Sequence, residues 1–282
     1  MNTVVQALPV MASTRGKIYL PREHGATAML LTPIFGVAIL ARAWRWSELA
    51  VFAAAFAAMA AKDPAVLLIR QRFFWKQKSP DAPIAAQWLF LWSLILAVSL
   101  SVLFLAWPLK AFLAMGAGVA AFAGLAIAVN LRNRQRSTLF QIASAAALTS
   151  TALATSLSAV GALAPWCWWF WALIAAQAAT GILVVHARLD ARIALRKAAA
   201  AGLQFRRAAQ VAIAVLLAAA LAAAILRHLC IALALALAAA AYAYDLKRQM
   251  NPLSLQLPLK SVGLQALTLS TIYAVLLIAG LW

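Results

Sequence analysis

Residues 85–107 read AAQWLFLWSLILAVSLSVLFLAW, a run of 23 residues in which no side chain is charged. An α-helix that crosses the hydrocarbon layer of a membrane needs about 20 predominantly apolar residues, so this run is long enough to span it. A helix on the surface of a soluble protein would instead carry charged residues along one face. The run therefore predicts a transmembrane helix.

Similar apolar runs recur along the 282 residues of the chain. They predict nine spans, at 24–41, 47–69, 85–107, 109–130, 138–160, 166–185, 208–226, 229–244 and 261–281. Backbone polar groups in lipid must be satisfied within each segment, which favours helices. We expect an all-α polytopic membrane protein, with 1–23 as a cytoplasmic N-terminal segment and 24–282 as a single nine-helix transmembrane domain.

The composition agrees with lipid as the solvent, since 66% of residues are hydrophobic and 11% are charged. In a soluble protein, the formal net charge of +18 would suggest a nucleic-acid partner. Here the nine predicted spans place 20 of the 24 Lys and Arg residues on one side of the membrane. The other face holds Arg42, Arg45, Lys110 and Arg227. An excess of cationic residues marks the cytoplasmic side of a membrane protein, so we expect a cytoplasmic N-terminus and no nucleic-acid partner.

Residues 1–20 contain no long apolar run with a small-residue cleavage site, so we expect the first span itself to direct insertion. The richness in Ala and Arg fits a multi-pass protein of the bacterial inner membrane. The expected partners are the lipid bilayer and its anionic headgroups. Cys167 and Cys230 are predicted near the non-cytoplasmic boundary, either as small packing residues or as a disulfide bridge.

The connection after the sixth span, residues 186–207, reads HARLDARIALRKAAAAGLQFRR and is predicted to form a cytoplasmic helix. Arg188, Arg192 and Arg196 are four residues apart and would share one helix face. Two interpretations follow. The arginines contact anionic lipid headgroups, at about 1 kcal/mol each, or they clamp a phosphate or pyrophosphate group.

Ionisable residues inside spans are costly and often functional. Lys62, Asp63 and Pro64 interrupt the second span before Arg70. One interpretation is that the helix ends early at Pro64, with Lys62 reaching the membrane surface. The other is that Asp63 lines a cavity open to the cytoplasm.

Two histidines lie close to predicted span ends. His186 and Asp190 are four residues apart, so they form either a surface pair or a group that orients the imidazole for proton transfer. His24 precedes Gly25, which permits close approach of a ligand or another backbone. The spacing gives no compact set of metal ligands, so we predict no metal site, and the sequence leaves the identity of any cofactor open.

The stretches YLPREHGA at 19–26 and LPLKSVGLQ at 257–265 resemble the YwiC-like family of bacterial membrane proteins. The resemblance covers essentially the whole chain. It implies a polytopic bacterial membrane protein, without a defined biochemical role.

Nine spans, with long cytoplasmic connections after the second and sixth, also resemble the UbiA superfamily of intramembrane prenyltransferases. That superfamily holds magnesium, and through it a pyrophosphate, on Asp-rich patterns in these two connections. Here Asp63 and Asp190 each fit one Asp position, whereas Lys62, Arg70 and His186 stand at other positions of the patterns. The resemblance implies a UbiA-like helical bundle without the magnesium chemistry.

The first functional hypothesis is that the protein binds or modifies an isoprenoid or another amphiphilic lipid at a cytoplasm-facing intramembrane pocket. The candidate catalytic or anchoring residues are His24, Asp63, His186 and Asp190. The candidate phosphate-binding residues are Lys62, Arg70, Arg188 and Arg192. The alternative is a non-enzymatic membrane protein, either a small transporter or an assembly partner of a membrane complex.

Overall fold

The structure is a computed structural model that describes residues 24–74, 80–132, 137–197, 204–256 and 259–282. Within these ranges the chain forms α-helices and no strand. The helices are α1 (His24–Ala41), α2 (Trp46–Phe73), α3 (Ala82–Ala106), α4 (Leu109–Leu131), α5 (Thr138–Thr149), α6 (Thr151–Val160), α7 (Pro165–Lys197), α8 (Gln204–Ile225), α9 (Leu229–Arg248), α10 (Pro252–Leu255) and α11 (Leu259–Leu281).

The described helices are long and apolar enough for a membrane bundle. Eight candidate spans are found when α5 and α6 are taken as one crossing, and α1 adds a shorter apolar helix. The break between α5 and α6 falls at Ser150, whose hydroxyl donates to the carbonyl oxygen of Ala147. The all-α polytopic membrane fold is therefore confirmed. Eight of the nine predicted spans correspond to candidate spans of the described residues, and the first corresponds to the shorter helix α1. The UbiA-like arrangement of the helices stays a prediction.

Helix α2 continues through Pro64 and ends at Phe73. The interpretation that this helix ends early at Pro64 is therefore wrong. A proline removes one backbone hydrogen bond, whereas ending the helix within lipid would leave several polar groups unsatisfied. Lys62 and Asp63 consequently lie on a continuous helix.

Helix α7 is longer than its predicted span. Its 33 residues correspond to about 50 Å, so it extends well beyond a hydrocarbon layer of about 30 Å. Residues 186–197 continue α7 as one helix and do not form a separate one. Residues 198–203 of the same connection lie outside the described residues.

Two large apolar clusters divide the bundle. The larger cluster joins α7, α8, α9 and α11, and includes Phe170 and Leu277. The second joins α1, α2 and α6, and includes Leu30, Val51 and Leu157. Helices α1 and α6 contribute to both clusters, so they connect the two parts of the bundle.

A cluster of buried polar side chains connects α7 to α9 and α11 through hydrogen bonds. The side-chain amide of Gln177 donates to the hydroxyl oxygens of Tyr242 and Ser270, at 2.7 and 3.1 Å. The hydroxyl of Tyr273 donates to the carbonyl oxygen of Leu173, at 3.0 Å. Polar side chains in a membrane bundle stabilise helix contacts in this way, because lipid offers them no partner.

Candidate functional site

The basic end of the bundle is defined here as the end at which α2, α4, α7 and α9 finish. The last turns of α7 place four of the predicted residues there, on two faces. Residues two apart in a helix are about 200° apart around its axis. His186 and Asp190 therefore share one face, and Arg188 and Arg192 share the other.

Arg188 is buried, with 1% of its surface exposed. Its guanidinium forms an ion pair with the carboxylate of Asp245 on α9. It also donates to the carbonyl oxygen of Ser254 on α10, at 3.3 Å. A buried charge of this kind is tolerated only when it is paired and hydrogen-bonded.

The neighbouring contacts extend this ion pair into a network. Gln249 donates from its side-chain amide to Asp245 and to the carbonyl oxygen of Val184, each at 3.2 Å. Arg192 donates to the carbonyl oxygen of Leu255. The arginine face of α7 thus holds the end of α9 and the short helix α10 against α7.

These contacts bear on both interpretations of the arginine stripe. Arg188 and Arg192 do share a face, and that face contacts protein, whereas Arg196 is exposed. The phosphate-binding role of Arg188 and Arg192 stays a prediction. It would require a ligand to compete with the carboxylate and carbonyl groups that these side chains already contact.

The sequence interpretation missed Asp245 and Gln249. The eighth span was predicted to end at residue 244, which assigned both residues to a connection. One signal was present, because Asp245 is one of only six acidic residues in a chain with 24 Lys and Arg. An acidic residue that adjoins an apolar run is a candidate partner for a buried cation.

The second face of α7 contacts α5 and α8. The Nε2 atom of His186 donates to the side-chain oxygen of Gln141 on α5, at 2.9 Å. The imidazole lies 5.2 Å from the ring of Phe205 on α8, measured between centroids. His186, Gln141 and Asp190 are all half-buried. This group is named the histidine site below.

The remaining predicted residues lie on other helices. On α2, the ammonium of Lys62 lies 4.0 Å from the carboxylate of Asp63, whose side chain is 59% exposed. The guanidinium of Arg70 donates to the carbonyl oxygen of Asn130 at the end of α4, at 2.7 Å. The side chain of His24 lies outside the described residues. A pocket shared by His24, Asp63 and the histidine site stays a prediction.

No three side chains of His, Cys, Asp or Glu come together as a metal site in the part of the chain that the structure describes. His186 contributes an imidazole to the histidine site, and Asp190, one turn further along α7, contributes a carboxylate.

Comparison with known proteins gives a family match. The family model described as YwiC-like protein matches residues 20–156, a region that begins just before α1 and ends within α6. No curated protein and no solved structure matches the chain. The apolar helical bundle identifies this chain as a polytopic membrane protein, and its residues 20–156 are similar to the YwiC-like family.

Proposed function

We propose that this protein binds an amphiphilic lipid at the basic end of the bundle, with the lipid headgroup against the histidine site. The observation that carries the proposal is the hydrogen bond between His186 and Gln141 at 2.9 Å, in a half-buried position between α5, α7 and α8. Polar side chains at such a depth are costly in lipid and usually have a partner or a ligand.

The surroundings suit a ligand with a polar head and an apolar tail. Asp190 lies one turn beyond His186 and offers a second hydrogen-bonding group. Along the neighbouring helices, Leu139 and Val211 are 82% and 64% exposed and would contact an apolar tail. An isoprenoid is one tail of this kind, and the expected location of the site is the cytoplasmic leaflet of a bacterial inner membrane.

The exposed cations favour an anionic headgroup. Arg196 and Lys197 end α7 and Arg207 lies in the first turn of α8, all with exposed side chains. Each cation near a membrane surface contributes about 1 kcal/mol to attraction of negative charge. These three residues are better placed to attract a phosphate than Arg188, whose guanidinium is paired with Asp245.

Native mass spectrometry of the purified full chain would test the proposal, with farnesyl phosphate, farnesol and phosphatidylglycerol added in turn. We expect an adduct with farnesyl phosphate that is at least about tenfold weaker in His186→Ala, which corresponds to about 1.4 kcal/mol. The matched control is His228→Ala, since His228 is exposed at the other end of the bundle. A change in the mass of the bound lipid would indicate modification as well as binding.

Two results would contradict the proposal. One is equal retention of all three lipids, which would indicate nonspecific annular lipid. The other is an equal loss of binding in His186→Ala and His228→Ala, because that loss would not originate at the histidine site.

A second candidate function is that of a non-enzymatic assembly partner in a membrane complex. The observation that favours it is the use of Arg70, Arg188 and Arg192 to hold helices together, which is a structural use of charge. Recovery of the same protein partner from membranes after mild extraction, in wild type and in His186→Ala alike, would support this role and count against lipid binding at the histidine site.

A further inference from the structure

The opposite end of the bundle, where α1 and α3 finish and α2 begins, is named the tryptophan end. There the hydroxyl of Ser47 donates to the carbonyl oxygen of Ser158, at 3.3 Å. The indole Nε1 of Trp107 donates to the hydroxyl oxygen of Ser158, at 2.9 Å. The first contact joins α2 to α6, and the second joins the end of α3 to the same residue of α6, so both lie close to the first turn of α2.

Glu48 lies in that first turn and is 2% exposed. One carboxyl oxygen accepts the backbone N–H of Arg45, at 3.2 Å. The other oxygen, Oε2, is buried and has no hydrogen-bond partner among the described residues. Burial by protein and an unpartnered oxygen are two independent features of the same side chain.

The charge of Arg45 attracts a negative charge on this carboxyl, but no cation of the described residues is paired with it. Arg42, at the end of α1, places its guanidinium 4.2 Å from the ring of Trp282. The side chains of Arg45 and Lys110 are exposed, and α6 contributes no charged residue. Within the described ranges, no Lys or Arg forms an ion pair with Glu48.

The charge state follows from these contacts. The first turn of a helix favours a negative charge, and the Arg45 N–H contributes one long hydrogen bond. Removal of an ionised carboxylate from water, with one oxygen unpaired, costs more than these interactions and the attraction of the exposed Arg45 side chain together return. A bound proton removes the charge and with it most of the cost of burial.

We propose that Glu48 is a proton-binding site at the tryptophan end of the bundle, and that it carries its proton at neutral pH. The site is independent of the lipid site proposed above, because it lies at the opposite end and shares no residue with it. Loss of the proton would place a charge in the contact between α2 and α6. Binding and release of a proton would therefore couple the packing of these helices to the acidity on that side of the membrane.

Infrared spectroscopy of the full chain would test the proposal through the C=O stretch of a protonated carboxylic acid. We expect this band at neutral pH, its loss in Glu48→Gln, and its retention in the matched control Asp63→Asn. Asp63 lies on the same helix, but its side chain is 59% exposed and so lacks the burial that distinguishes Glu48.

A second measurement does not depend on the folding of Glu48→Gln. Glutamate occurs only at positions 23 and 48, so carboxyl-labelled glutamate should shift the band in Glu23→Gln, where Glu48 is the remaining glutamate. Absence of the band at neutral pH, or a band that the label does not shift, would overturn the proposal. Loss of the band on addition of sodium but not choline, at constant pH, would also overturn it, because the site would then bind a metal cation.

Discussion

Two glycines permit close contacts between helices on which the packing of this bundle depends. A Cβ atom on Gly36 would lie 2.3 Å from the ring atom Cζ of Phe170, which is fully buried. A Cβ atom on Gly181 would lie 2.8 Å from the hydroxyl of Tyr242, the partner of Gln177. Helices in membranes approach closely where such small residues occur, because packing and not water exclusion drives their association.

We expect Gly36→Ala to lower the free energy of unfolding by about 1–3 kcal/mol, since the added methyl group must displace a buried aromatic ring. The measurement is thermal or denaturant unfolding of the purified protein in detergent. The matched control is Gly124→Ala in α4, where nothing lies within 4 Å of the added atom. This control should be neutral or stabilising by up to about 1 kcal/mol, as alanine favours a helix over glycine. Equal losses in both variants would show that the contact with Phe170 is not the cause.

At the scale of the element, α7 separates two roles on two faces. One face uses Arg188 and Arg192 to hold α9 and α10. The other face carries Asp190 and His186, of which His186 contacts α5 and α8. Residues four apart lie on the same face of a helix, so the members of each pair share a face. The two pairs are offset by two residues, which places them on opposite faces. The helix therefore joins a structural network to the proposed lipid site.

We expect Asp245→Ala to lower the free energy of unfolding by about 3–5 kcal/mol, because it leaves the guanidinium of Arg188 buried without its partner. The double variant Arg188→Met/Asp245→Leu should recover most of this loss, since it removes both charges together. The measurement is again unfolding in detergent.

The control for this pair is Asp63→Ala, which removes a partly exposed ion pair with Lys62. Its expected cost is at most about 1 kcal/mol. A double variant no more stable than Asp245→Ala would show that the network acts through packing and not through the buried charge.

The sequence predicts the spans well and their long-range partners poorly. Apolar runs locate each crossing because lipid acts on every residue of a span in the same way. The continuation of α2 through Pro64 was left open, since a proline has the same local signature in a broken and in a continuous helix. Asp245 contacts Arg188 across 57 positions of the chain, and no local pattern encodes such a pairing. Gln141 and Glu48 were missed for the same reason, because burial of a side chain depends on which helices pack together.

At the scale of the whole molecule, the distribution of charge predicts which end faces the cytoplasm. The positions of the cysteines make this testable, because the structure contains Cys167 as a buried free thiol and Cys230 as an exposed one. Cys230 lies at the start of α9, at the tryptophan end. The bridge that the sequence left open between these residues is not formed.

We expect a membrane-impermeant maleimide to label Cys230 on intact cells, because the tryptophan end faces away from the cytoplasm under the positive-inside rule. The variant Cys230→Ser should abolish labelling, since Cys167 is buried. Lys247→Cys added to Cys230→Ser should be labelled only after the membrane is permeabilised. Labelling of Lys247→Cys on intact cells would reverse the assigned orientation.

Helix α4 differs from the other crossings, since Asn130 is its only buried side chain in the part of the chain that the structure describes. Arg70 holds its last turn, and the cleft that it forms with α3, lined by Leu100, Phe104 and Phe112, opens outward. Surrounding acyl chains must therefore supply most of the lateral support of this helix. Harsh solubilisation would release α4 before the remaining helices separate, because α3 is packed against α2, and added phospholipid during extraction should preserve the position of α4.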